Sequence, residues 1–65
     1  MSEELDTAAR YRQRAEELRT IAREESSAET RSTLSQIAAD YERMAETLEA
    51  IDRTNKAIAR ARNIT

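Results

Sequence analysis

Carboxylates and cations are the side chains of this chain with chemistry to offer, and they fall into two groups. Asp40, Glu42, Glu46 and Glu49 lie within ten positions of one another. Glutamates that point inward from bundle helices can hold two metal ions, but there they work with partnering His residues. This chain has no His and no Cys, which removes the commonest general base and metal ligand and all thiolate chemistry. The four acids also fall off the apolar stripe described below, and exposed charge is the ordinary condition of a helix surface. They read as a solvated face. No catalytic, metal-ligating or cofactor-binding residue is assigned, no cofactor is expected, and without a nucleophile–base pair the chain reads as a non-enzyme.

The second group is basic. Arg53, Lys56 and Arg60 share one helix face, and residues 53–65 hold four cations and no acid. They form a candidate anion-binding face for phosphate or an acidic partner. A plainer account exists: cations suit a helix C-terminus, and Glu49–Arg53 and Asp52–Lys56 are favourable pairs four residues apart. No aromatic is interleaved for base stacking, and the net charge of the whole chain is −2. A small nucleic-acid-associated or regulatory role through this face is the alternative reading, and nucleic acid is the disfavoured partner.

The elements that carry these groups are helical. The 65 residues contain neither Gly nor Pro, and Ala, Arg and Glu, which are strong helix formers, dominate the composition. Leu34, Ile37, Tyr41, Met44, Leu48, Ile51, Asn55 and Ile58 alternate by three and four residues, which places them on one helix stripe. Asn55 is the polar member. A buried Asn at such a position fixes register and oligomer state; the other reading is a fraying end, as Thr54 and Arg62 suggest. Upstream, Leu5, Ala8, Tyr11, Ala15, Leu18, Ile21 and Ala22 form a second stripe. Tyr11 and Tyr41 therefore read as core tyrosines with the hydroxyl at the edge.

The stripe phase is lost across residues 23–33, where Glu24-Glu25-Ser26-Ser27 carries no apolar group. One unbroken helix is the alternative, but the lost phase favours a hairpin, since short connections give antiparallel neighbours. Ser2 is placed to cap a first helix over about 3–25, with Glu3, Glu4 and Asp6 in its first turn. Ser27 is the preferred cap of a second helix over about 28–62, and a capping box from Ser26 to Glu29 competes with it. The expectation is one all-α domain over residues 1–65, a helical hairpin with the longer helix second. At ~1.5 Å per residue the helices are about 34 and 52 Å long, so the first covers the second only to around residue 49.

So small a hairpin buries only part of each stripe, and association is the physical remedy. Ala38, Ala45 and Ala59 follow Ile37, Met44 and Ile58 directly; small flanking residues let another helix approach and favour a bundle over a two-stranded zipper. Residues 28–52 carry two Arg against six acids, whereas residues 53–65 are purely basic. An antiparallel pairing centred near residue 46 sets each basic end beside acidic chain. The expected assembly is an antiparallel four-helix bundle of two hairpins, a homodimer, with Leu34, Ile37, Tyr41, Met44, Leu48, Ile51, Asn55 and Ile58 as its interface. A second protein is the other partner class. Residues 1–6 lack the apolar core of a signal peptide and no apolar run reaches membrane-spanning length, so a cytoplasmic location is expected.

The segments Tyr11-Arg12-Gln13-Arg14-Ala15-Glu16-Glu17-Leu18-Arg19 and Ile37-Ala38-Ala39-Asp40-Tyr41-Glu42-Arg43-Met44-Ala45 together resemble a group of small alphaproteobacterial helical proteins. These share a pattern close to RAEELR … IAxDYERMA, and the resemblance covers about residues 8–50. Members of that group often carry Asp-Pro where this chain has Ser27-Ala28, so the resemblance implies a hairpin with an N-cap at that turn. It implies no activity and no functional residues.

Overall fold

The computed structural model describes residues 2–64, with side chains through residue 63. Two helices pack against each other: α1 over Glu3–Glu24 and α2 over Ala28–Ile64. The molecule is a rod of 59 × 17 × 11 Å.

Each helix begins where local chemistry satisfies its orphan N–H groups. The backbone of Ser2 is extended and its hydroxyl oxygen accepts from the Leu5 N–H at 3.1 Å. Glu3, Glu4 and Asp6 then place negative charge in the first turn, where the helix dipole favours it. At the start of α2 the Ser27 hydroxyl accepts from the Thr30 N–H at 3.2 Å. Ser27, rather than Ser26, is therefore the cap. Replacing Ser27 by Ala is expected to lower stability by about 1 kcal/mol, read from urea melts. Ser26→Ala should leave the midpoint nearly unchanged, and equal losses at the two serines would refute the cap assignment.

The connection, residues 25–27, closes without glycine. Glu25 ends α1 in extended conformation (φ −78°, ψ 130°), and its N–H donates to the Ala22 carbonyl at 3.2 Å. No described residue has a positive φ, so the left-handed position that usually calls for Gly at a helix end does not arise. Side chains pin the turn instead. The Glu25 carboxylate accepts from the Ser27 N–H at 3.1 Å, and the Arg31 guanidinium donates to the Glu25 and Ser26 carbonyls at 2.9 and 3.1 Å.

The centre of the helix contact is alanine. Ala8, Ala15 and Ala22 on α1 and Ala38 and Ala45 on α2 are buried, Ala38 and Ala45 completely. On each helix they recur every seven residues, two turns apart, so they form one line along the contact. Two ion pairs between the helices, Arg12–Glu49 and Arg19–Glu42, fix the antiparallel register: seven residues along α1 match seven back along α2. In that register Ala22 lies level with Ala38, Ala15 with Ala45 and Ala8 with Asp52. Leu18 is the one large apolar side chain buried among the described residues; with Ala15 and Ala38 it forms a cluster against which Leu34 and Tyr41 pack. The rings of Tyr11 and Tyr41 meet across the helices, centroids 5.5 Å apart and tilted by 49°, a geometry aromatic pairs prefer over a face-to-face sandwich.

Three expectations change here. The Ala residues expected to flank the seam are, at Ala38 and Ala45, its closest line of contact, while Ala59 is exposed. The eight-residue stripe on α2 is not one surface: Leu34, Tyr41 and Leu48 are half-buried against α1, but Ile37, Met44, Ile51 and Ile58 face outward. Finally, α1 reaches past residue 49, since Glu4 accepts from the Asn55 amide at 3.5 Å and Ser2 bonds the Asp52 carboxylate. Ile51 is thus exposed because of the side it occupies on α2, not because α1 has ended.

Candidate functional site

The hairpin has two unlike sides. Successive helix residues are turned by about 100°. Residues four after the buried Ala line therefore flank one side of the contact, and residues directly before it point out on the other.

The first side is ionic. Arg12 grips Glu49 with two parallel bonds, Nε to Oε2 at 2.9 Å and a terminal nitrogen to Oε1 at 2.7 Å. Arg19 donates to Glu42 at 2.6 Å. Fork-to-carboxylate pairing of this kind is among the more directional surface contacts. Two of the four acids read as a solvated face, Glu42 and Glu49, are therefore clips between the helices. Asp40 pairs instead with Arg43 on its own helix, and Glu46 is exposed. A legible signal existed: Arg12 and Arg19 are spaced by seven, as are Glu42 and Glu49, in opposite chain order.

Asp52 stands where the next Ala of the buried line is due, and it is only 4% exposed. Lys56 bonds it from one turn on, at 2.8 Å; Ser2, the cap of α1, bonds it across the helices. These two hydrogen bonds, Lys56 first, hold its carboxyl below the ordinary range. The Arg19 bond does the same for Glu42 and the Arg12 bond for Glu49, and both arginines are raised in turn. A carboxylate whose folded pKa is depressed contributes stability while ionised and loses that contribution as pH falls through the folded value. All three shifts share that sign. Helicity is expected to be level through neutral pH and to weaken once pH drops below about 4, the ordinary carboxylate range; a circular-dichroism titration showing greater thermal stability at pH 3 than at pH 7 would contradict this.

The second side is apolar. Ile37, Met44, Ile51 and Ile58 run along α2 at seven-residue intervals, each between 39% and 46% exposed. On α1, Ile21 precedes Ala22 as Ile37 precedes Ala38, and it is 49% exposed. Between the helices this side opens into a groove of about 660 Å³ lined by Thr7, Tyr11, Met44, Thr47 and Leu48, with Asp40 and Arg43 at its rim. Single exposed apolar side chains are normal on a protein surface; here four of them line up along one side of α2. Asn55 follows Leu48 on the half-buried row and is itself exposed.

The basic face is exposed at Arg53, Lys56 and Arg60. Lys56 is committed to Asp52, the pair anticipated from their spacing. Glu49 turns to Arg12 rather than forming a hydrogen bond with Arg53, which acts on it only through charge. Among the described residues no group of three or more His, Cys, Asp or Glu is arranged to hold a metal ion, and no helix is long and apolar enough to cross a membrane. Set against known proteins, the chain matches no family model, no curated protein and no solved structure.

Proposed function

We propose that this protein is a self-associating helical module in which two hairpins pair through the row Ile37, Met44, Ile51 and Ile58. The observation that carries the reading is that row: four large aliphatic side chains, evenly spaced along 21 residues, outside the hairpin's own contact. A second copy fits it because the row is self-complementary. A two-fold axis between Met44 and Ile51 sets Ile37 against Ile58 of the second copy and Met44 against Ile51. The same axis lays the basic stretch 53–62 of each chain beside residues 33–42 of the other, which carry Asp40 and Glu42 and no cation, whereas a parallel arrangement would juxtapose like charge. The product is an antiparallel four-helix bundle, and its role is assembly or scaffolding.

Magnitude sets the regime. Full burial of such a side chain is worth ~1.5–3 kcal/mol. With some 40% of each surface left to cover, eight side chains contribute roughly 5–10 kcal/mol, which lies within the estimated cost of association, about 4–15 kcal/mol. The dimer should therefore dissociate within reach of measurement. Light scattering across micromolar to millimolar concentrations should show mass rising toward twice the 7.4 kDa of one chain. A constant single-chain mass with full helicity throughout that range would overturn the proposal.

A further inference from the structure

On the ionic side, beside the turn, lies a second groove of about 470 Å³, lined by Arg19, Ala22, Arg23, Ala28, Arg31, Ser32 and Ser35. Three Arg and two Ser are among its lining residues and no Asp or Glu is, in a chain whose net charge is −2. We propose that this groove binds a phosphate group, free or as a small monoester.

The donors needed are present and partly fixed in place. A guanidinium has five N–H donors. The Arg31 bonds to the Glu25 and Ser26 carbonyls both use one terminal nitrogen, and Arg23 donates to Thr20 through one of its own. Arg19 gives one terminal nitrogen to Glu42. Each side chain is anchored at one position and keeps other N–H groups for a ligand, which lowers the ordering cost of binding. Arg19 and Arg23 are also four residues apart on one helix, a like-charge spacing that disfavours the helix; an anion between them reverses that sign. The planar Arg fork can pair with two oxygens of a phosphate at once, which a point charge cannot do. The groove and the Ile37–Ile58 row lie on opposite sides of the hairpin, so this proposal stands or falls apart from the self-association.

The test is an amide NMR titration of the full chain with inorganic phosphate, and in parallel with O-phosphoserine, at constant ionic strength held with chloride. Saturable shifts centred on Arg23, Ala28, Ser32 and Ser35 are expected. Tighter binding of phosphoserine would identify a monoester as the ligand, and equal or tighter binding of phosphate the free anion. Arg23→Gln should weaken binding about tenfold, the usual loss of one charge-assisted hydrogen bond, with helicity retained because Arg23 bonds only within α1. Arg60→Gln should change nothing. Shifts that do not saturate, that chloride reproduces, that survive Arg23→Gln or that map to Arg53 and Arg60 would overturn the assignment.

Discussion

Replacing Met44 and Ile51 together by Glu is expected to abolish the proposed dimer. The two positions flank the proposed two-fold axis, so the substitutions bring four carboxylates to the centre of the interface, where each wild-type side chain has an apolar opposite. Lost burial and unpaired charge act in the same direction. A rise in Kd of at least a hundredfold, about 2.8 kcal/mol, is a conservative expectation. Both residues lie outside the buried Ala line and are more than 40% exposed in the hairpin itself, so the change leaves the centre of the α1–α2 contact in place. Sedimentation equilibrium should report a single-chain mass at concentrations where the native protein, on the proposal, sediments at twice that mass. Ala50→Glu is the control, an exposed position outside the row. A double variant that stays dimeric would remove this row from the interface.

The second large effect concerns the Ala line. Ala45→Leu is expected to destabilise the hairpin although it makes the core more hydrophobic. Ala45 is completely buried on the line of closest helix approach, and extra methylenes in such a site cost about 1–3 kcal/mol through forced rotamers and displaced backbone. In a domain of this size each kcal/mol moves Tm by roughly 4–8 °C. Chain concentration must be held fixed, because any association shifts Tm by mass action. Leu at the exposed Ala50 should stay within about 0.5 kcal/mol of native. If Ala45→Leu raised Tm, close packing at Ala would not be what sets the helix separation.

The outline of the fold was legible because the signals that set helix ends are local. Ser2 and Ser27 cap as their side chains allow, and the loss of stripe phase located the turn within a residue or two of the observed ends at Glu24 and Ala28. The division of labour on α2 was not legible. A hydrophobic stripe is drawn through large residues, and Leu34, Ile37, Tyr41, Met44, Leu48, Ile51 and Ile58 do lie in one band. Helices in close contact, however, meet along their smallest side chains, and Ala is so common in helices that its spacing passes for propensity. Ala8, Ala15 and Ala22, seven apart, with Ala38 and Ala45, seven apart, were the available clue. Once that line is the axis of contact, the large residues sort by angle: Leu48 and Tyr41 lean inward, Ile51 and Met44 outward. Glu42 and Glu49 were misplaced for the same reason, since their side of the helix is defined only relative to the Ala line.

An alanine row that repeats every seven residues is a ruler with unnumbered marks. Sliding one helix past the other by two turns sets Ala on Ala again, so the Ala line by itself cannot tell the two settings apart. Asp52 is the mark that differs. Its carboxylate keeps Lys56 of its own helix in any setting, but the second bond comes from Ser2 at the start of α1, and a slide of two turns would carry that donor about 11 Å away. With Asp52→Ala the ruler becomes uniform over Ala38, Ala45 and position 52, and the three-residue turn, the ion pairs, the Tyr11–Tyr41 contact and the Glu4–Asn55 bond are left to number it. The same polar interruption that looks like a flaw in the packing is what makes the packing countable.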